Sequence, residues 1–210
     1  MTTLLNWKTS KKHLDNWQAP PLISSLFFNI QNDALNPNNA VNFRKFVKKQ
    51  GKVLEYGCAI APAYRTYRRY LTDLKIKFIL LDIPNFTFHF AKWSYFEDHE
   101  VEKFITLNQR DFSNPLKSIN YNFDAIILHK VLEHLDHPRV IIEYLTKRIN
   151  KNGLLFFDYI SSDMKGLDSE GGMKERASTL EYIKKNYEFI EGDFFISHKS
   201  LGKIVAKKRN

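Results

Sequence analysis

The residues able to do chemistry in this chain stand at the ends of short apolar runs. The first run leads into Glu55-Tyr56-Gly57-Cys58-Ala59-Ile60-Ala61-Pro62, an acid with a glycine two residues later. Between a strand and a helix, such a corner turns backbone N–H groups toward a ligand, because glycine tolerates a left-handed backbone. A second run closes on Asp82 and Ile83, and a carboxylate in that place can accept both hydroxyls of a ribose. A third closes on Arg110-Asp111-Phe112; Asp111 suits an exocyclic adenine amine, and Phe112 or Ile83 suits packing against the ring. A fourth, Phe123–His129, continues through Lys130-Val131-Leu132-Glu133-His134-Leu135-Asp136-His137-Pro138. His129 sits where the strand ends and is a candidate to line a site or take a proton. Glu133 and His134 read more simply as residues that cap and pack a short helix. A dinucleotide site needs glycine at positions 59 and 61 so that backbone can approach a pyrophosphate. Ala59 and Ala61 each add a Cβ there, which counts against NAD more than against a ligand without phosphates.

The elements that must hold these residues alternate. Strands are predicted at Lys52–Glu55, Lys77–Asp82, Phe104–Asp111, Phe123–His129 and Leu154–Ile160, read from continuous apolar runs that suit a parallel sheet covered on both faces. Between them, Tyr64, Tyr67, Leu71 and Leu74 share one helical face behind Pro62, and Ile141, Leu145 and Ile149 do the same after Pro138. Gly153 stands where that second helix should end. Ser178 and Glu181 have capping-box spacing for a helix to about Asn186. Strands near Phe189–Ile196 and Leu201–Lys207 follow without a helix between them, which predicts an antiparallel hairpin at the sheet edge. The aromatic stretch Phe86, Phe88, Phe90, Trp93, Tyr95 and Phe96 reads mostly as helix core, with one or two rings available to cover adenine or substrate. The expected fold class is therefore α/β: a doubly wound, Rossmann-like, mostly parallel seven-stranded sheet with a C-terminal antiparallel hairpin. Ligands in such sheets bind at the carboxyl ends of the strands, where strand order reverses.

In this order VLEYGCAIAP, FILLDIPN, RDF, FDAIILHKVLEHLDHP and NGLLFFDYI resemble the successive motifs of class I S-adenosylmethionine-dependent methyltransferases of the small UbiE-like or UbiG-like type, over about residues 51–160. The resemblance implies S-adenosyl-L-methionine as cofactor, with S-adenosyl-L-homocysteine as product. It implies that Glu55 and the Gly57–Ala59 backbone, with Tyr56 and Cys58 between, hold the methionyl part, and that Asp82 holds the ribose. It places Asp111, Phe112 and Ile83 at adenine and His129 beside the sulfonium, with His129 also the candidate base. The family's usual E-x-G-x-G-x-G is E-Y-G-C-A-I-A here. Some relatives bind a metal through E-x-x-E-H; Lys130 stands where the first acid would be, so no metal is expected. One domain is expected over residues 1–210: an N-terminal helical cap (1–50), a cofactor-binding core (51–160), and a lid loop, helix and hairpin (161–210). Trp7, His13, Trp17, Pro20, Pro21 and Phe27, with the glycine-bearing loop Ser161–Ala177, are expected to roof the acceptor pocket.

Composition narrows the alternatives. At 210 residues and 43% hydrophobic content the chain buries a sufficient core without a disulfide or metal staple, and its one cysteine, Cys58, cannot form an internal disulfide. No apolar run reaches membrane-spanning length and the first residues lack a long apolar stretch, so a cytoplasmic protein with no membrane partner is expected. A net charge of +9 invites a nucleic-acid partner, but the basic residues are scattered, which favours a solvated surface. The leading expectation is methyl transfer to a small molecule such as a sugar or an aromatic metabolite. An RNA or protein methyltransferase and a non-catalytic binder of the same cofactor are the alternatives.

Overall fold

The computed structural model describes residues 24, 27, 37–108, 112–161, 168–196 and 200–209. The first described helix is α1 (Pro37–Phe46), followed by β1 (Lys52–Tyr56), α2 (Pro62–Tyr70), β2 (Lys77–Asp82), α3 (Phe86–Tyr95) and β3 (Val101–Thr106). Then come β4 (Phe123–Leu128), α4 (Pro138–Lys147), β5 (Ile149–Tyr159), α5 (Glu170–Lys174), α6 (Arg176–Asn186), β6 (Tyr187–Glu191) and β7 (Leu201–Lys208). The seven strands lie in the order β3-β2-β1-β4-β5-β7-β6. β1 to β5 are mutually parallel, and β7 runs antiparallel between β5 and β6. Order reverses between β1 and β4, so a crevice opens at their carboxyl ends.

Two cores flank the sheet. Leu54, Leu81, Leu128, Phe157 and Ile204 point to the face covered by α4 and α6. Val53, Leu80, Ile127, Phe156 and Val205 point to the other, where α1 and α2 supply Phe43, Tyr64 and Tyr67. Burial on both sides is why the central strands read as unbroken apolar runs.

The departures from expectation fall at the edges. β3 spans Val101–Thr106 rather than Phe104–Asp111, and Asp111 itself lies outside the described residues. β3 is an edge strand with Glu102 and Lys103 exposed, so its beginning carries no apolar run. β6, at the opposite edge, likewise begins at Tyr187 and stops at Glu191, not Ile196. Gly153 is not a helix terminator: α4 ends at Lys147 and Gly153 lies within β5, where a Cβ would come 2.6 Å from Ile149 Cγ2. Nor does Ser178 cap a helix; α6 already runs from Arg176, and the Ser178 hydroxyl donates to the Glu175 carbonyl at 3.0 Å. In the aromatic stretch only Phe88 and Tyr95 are buried; Phe86, Phe90, Trp93 and Phe96 are exposed.

Candidate functional site

β1 delivers the chain to Gly57, and three residues there take left-handed backbone: Gly57 (φ 66°), Ala59 (φ 48°) and Ala61 (φ 56°). Only Gly57 is required to be glycine by contact, because a Cβ would lie 2.6 Å from Val131 Cγ2. The two alanines therefore adopt the conformations that glycines would, at a strain of roughly 1–2 kcal/mol each. Short bonds hold the corner: Gly57 N and Cys58 N donate to the Leu81 carbonyl at 2.8 and 3.1 Å, and Ala61 N to the Cys58 carbonyl at 2.6 Å.

Glu55 is buried behind this corner. Its carboxylate, 3% exposed, turns to the start of α2 and accepts from Ala63 N and Tyr64 N, both at 3.0 Å. An anion at a helix N-terminus satisfies orphan backbone donors and meets the positive end of the helix dipole. Burial nevertheless pushes its pKa up to about 8 against the opposing pull of those two N–H bonds. Glu55 thus fixes the helix that backs the corner, and its side chain is not among those lining the cleft described below.

Asp82, closing β2, does face the crevice. It is 8% exposed; Oδ2 accepts from Ala59 N at 2.5 Å and Oδ1 from Ile83 N at 2.7 Å. Burial raises its pKa to about 6, with the two N–H bonds opposing. One carboxylate thereby ties the β1 corner to the end of β2, with lone pairs remaining for a ligand.

These residues border a cleft of about 480 Å³. Tyr56, Gly57, Cys58, Ala59, Asp82, Ile83, Phe112 and His129 all line it. Cys58 is a small buried wall residue whose thiol pKa is raised, chiefly by burial, so it is not a ready nucleophile. Beyond Asp82 the wall turns apolar, with Phe43, Phe156 and Val205 from one core and Ile204, Leu135 and Ile141 from the other. Polar groups gather at the rim: His129, Lys130, His134, Asp136, His137 and Lys203. Register explains part of this. Ile127, Phe156 and Val205 share a sheet face, and His129 and Lys203 lie one step further along it.

Sequence reasoning did not anticipate the support beneath the rim. Ser169 N donates to the Glu133 carbonyl at 2.9 Å, its hydroxyl donates to the Leu135 carbonyl at 2.7 Å, and the same hydroxyl oxygen accepts from Gly172 N at 2.7 Å. Tyr159 OH donates to the Gly172 carbonyl at 2.5 Å. A Cβ on Gly171 would come 1.9 Å from the Asp136 carbonyl oxygen. Gly171 and Gly172 of the expected lid loop therefore permit close backbone packing against residues 133–136. The adjacent Gly171-Gly172 pair was the available signal. Glu133 is buried beside Asp158, with Oε2 unbonded and its pKa raised, mainly by burial. The expected roof residues Trp7, His13, Trp17, Pro20 and Pro21 lie outside the described residues, as do 162–167. Among the described residues, no group of three or more His, Cys, Asp or Glu side chains is arranged to hold a metal ion.

A methyltransferase domain family model matches residues 33–208. The chain belongs to that family. Its methyl donor is S-adenosylmethionine, and the chain is an S-adenosylmethionine-dependent methyltransferase. Solved structures share the fold. A candidate rRNA methylase from Clostridium thermocellum is 14% identical with a TM-score of 0.55, over 84% of this chain and 96% of that one. Magnesium protoporphyrin IX methyltransferase from Synechocystis PCC 6803, with bound cofactor, is 13% identical with a TM-score of 0.53, over 86% and 79%. The CurJ carbon methyltransferase is 12% identical with a TM-score of 0.56, over 80% and 51%. No curated protein matches in sequence. The cleft suits the donor: its volume lies in the roughly 300–1,000 Å³ range of small-molecule sites, and a buried carboxylate opens onto it beside a corner of glycine-like backbone.

Proposed function

We propose that the chain methylates a small-molecule acceptor whose body is largely apolar, an aromatic metabolite fitting better than a sugar. The observation that carries this reading is the apolar wall of the cleft beyond Asp82, formed by Phe43, Phe156, Val205, Ile204, Leu135 and Ile141; of the polar side chains that line the cleft, His129, Lys130, His134, Asp136, His137 and Lys203 are at least partly exposed, and Thr66, Asn85 and Thr87 are buried. A sugar would leave its hydroxyls against hydrocarbon, each costing about 1–3 kcal/mol unpaired.

In this reading Asp82 accepts the ribose hydroxyls and the Gly57–Ala59 backbone, flanked by Tyr56 and Cys58, borders the methionyl part. Ile83 and Phe112 pack against adenine, and Asp111 remains the candidate for its amine. Glu55 acts indirectly, by holding α2. The bound donor supplies a methyl group already activated by its sulfonium, so the chain's task is alignment, worth up to about 7–11 kcal/mol in ideal cases. His129, half-buried at the end of β4, takes the acceptor's proton at a ring nitrogen where the acceptor is a hydroxyl too weakly acidic to ionise by itself.

The test is a thermal-shift series in saturating S-adenosylhomocysteine, comparing aromatic phenols and carboxylates with monosaccharides of similar size. Further stabilisation by the aromatic set alone supports the reading; stabilisation by the sugars alone overturns it.

A further inference from the structure

Helix α3 carries a surface that methyl transfer leaves unused. Phe86, Phe90, Trp93 and Phe96 follow at steps of four, three and three, which places them along one stripe about 15 Å long. They are 50%, 36%, 72% and 69% exposed. Four large aromatic rings exposed side by side exceed what scattered surface residues produce and mark an interaction site. Phe27 sits edge-on to Phe86 and Phe90, with ring centroids 6.0 and 5.5 Å away. Trp93 and Phe96 remain the most open.

Cations border the stripe. Arg65, Arg68 and Arg69 of α2 bound a shallow hollow together with Phe90, Ser94 and Tyr95. Arg68 pairs with Asp98 at 3.1 Å, whereas Arg65 and Arg69 form no ion pair among the described residues. The exposed acid Glu97 follows Phe96 and limits the basic apron at that end. At the other end, Asn85 and Thr87 line the cleft, so whatever meets the stripe lies beside the cleft mouth.

We infer that this face docks the protein on an anionic lipid surface. Exposed Trp and Phe enter the headgroup region while flanking arginines meet lipid phosphates, the combination that peripheral attachment requires. The rings argue against single-stranded RNA as the occupant. Phe90 and Trp93 are inclined at 42° and Phe27 and Phe90 at 82°, so they form an edge-packed wedge, not a row of parallel faces for bases. The sequence alone suggested no membrane partner, because no apolar run reaches membrane-spanning length, and it read these rings mostly as helix core. No helix among the described residues is long and apolar enough to cross a membrane, so the attachment is superficial. It depends on none of the assignments made for the cleft.

The test is co-sedimentation of the full chain with phosphatidylcholine vesicles, alone or with one-third phosphatidylglycerol, at about 50 and 500 mM NaCl, which bracket strong and weak screening. Binding is expected on the anionic vesicles and falls severalfold at the higher salt. The double variant Trp93→Ser/Phe96→Ser loses about tenfold in partitioning, and Arg65→Gln/Arg69→Gln a similar factor, while the melting temperature of the ligand-free chain stays within a few degrees. Absence of binding at low salt overturns the inference, as does undiminished binding by both double variants. So does a dimer in gel filtration that Trp93→Ser/Phe96→Ser dissociates, or tighter binding to a uridine oligonucleotide than to the vesicles.

Discussion

Replacing Asp82 by asparagine separates the two things this carboxylate does. Its pKa of about 6 lies roughly two units above the usual value, so keeping it ionised in the folded chain costs about 3 kcal/mol at neutral pH. Asparagine removes that cost but can accept only with its oxygen, leaving Ala59 N or Ile83 N facing an amide nitrogen. One such buried unsatisfied donor costs about 1–3 kcal/mol. The two effects oppose and nearly cancel, so the ligand-free melting temperature should move by only a few degrees. Ligand binding should not survive, because the ionised acceptor for the ribose is gone. In the wild type, S-adenosylhomocysteine at 100 times its dissociation constant adds about 2.7 kcal/mol, which at this chain length raises the melting temperature by roughly 5–10 °C. Differential scanning fluorimetry with and without the ligand reads both quantities. An undiminished rise in Asp82→Asn would refute the assignment of Asp82 to the ribose. A collapse of the ligand-free melting temperature would show that its bonds to the β1 corner dominate.

The remaining expectations concern pH and backbone. Glu55 and Asp82 both have raised folded pKa values, about 8 and about 6, so the folded chain binds more protons than the unfolded one from about pH 4 upward. Their stabilising contribution is complete below about pH 4 and is lost as pH rises through 6 and then 8. Urea midpoints should reflect this as a downward contribution between pH 5 and 8 that Glu55→Gln flattens at its upper end. Affinity for S-adenosylhomocysteine should move the opposite way around pH 6, rising as Asp82 ionises and then levelling, as isothermal titration calorimetry would record. Ala59→Gly relieves about 1–2 kcal/mol of left-handed strain against about 0.4–1 kcal/mol of added unfolded-state entropy. A net gain of between about 0 and 1.6 kcal/mol is expected in urea denaturation, and a loss would refute the strain argument. Gly171→Ala forces a Cβ to within 1.9 Å of the Asp136 carbonyl oxygen. The clash is with backbone, so a loss at or above the upper end of about 1–3 kcal/mol is expected by the same assay; a neutral result would show that α5 is loosely held.

Much of the fold was legible because the central strands are buried on both faces. Val53–Glu55, Phe78–Asp82, Ala125–Leu128 and Leu154–Tyr159 announce themselves as apolar runs, and the first three end where a cleft residue begins. The edge strands β3 and β6 were displaced in the reading, since exposure lets Glu102, Lys103 and Glu188 stand where an apolar pattern would have marked them. Gly57, Asp82, Phe112 and His129 were found through strand ends and family resemblance, and they do share one cleft.

What sequence order could determine was local: which runs bury both faces, where each stops, and which residue type waits there. Direction and proximity across the sheet belonged to the tertiary structure. Glu55 and Asp82 look equivalent as acids at strand ends, yet one turns into the start of α2 and the other toward the cleft, because the pleat and the neighbouring helix give each a different set of N–H donors. The same holds for α3. Its aromatic residues are of one hydrophobic kind, and only the packing of the helix on the sheet divides Phe88 and Tyr95 in the interior from Trp93 and Phe96 on the surface.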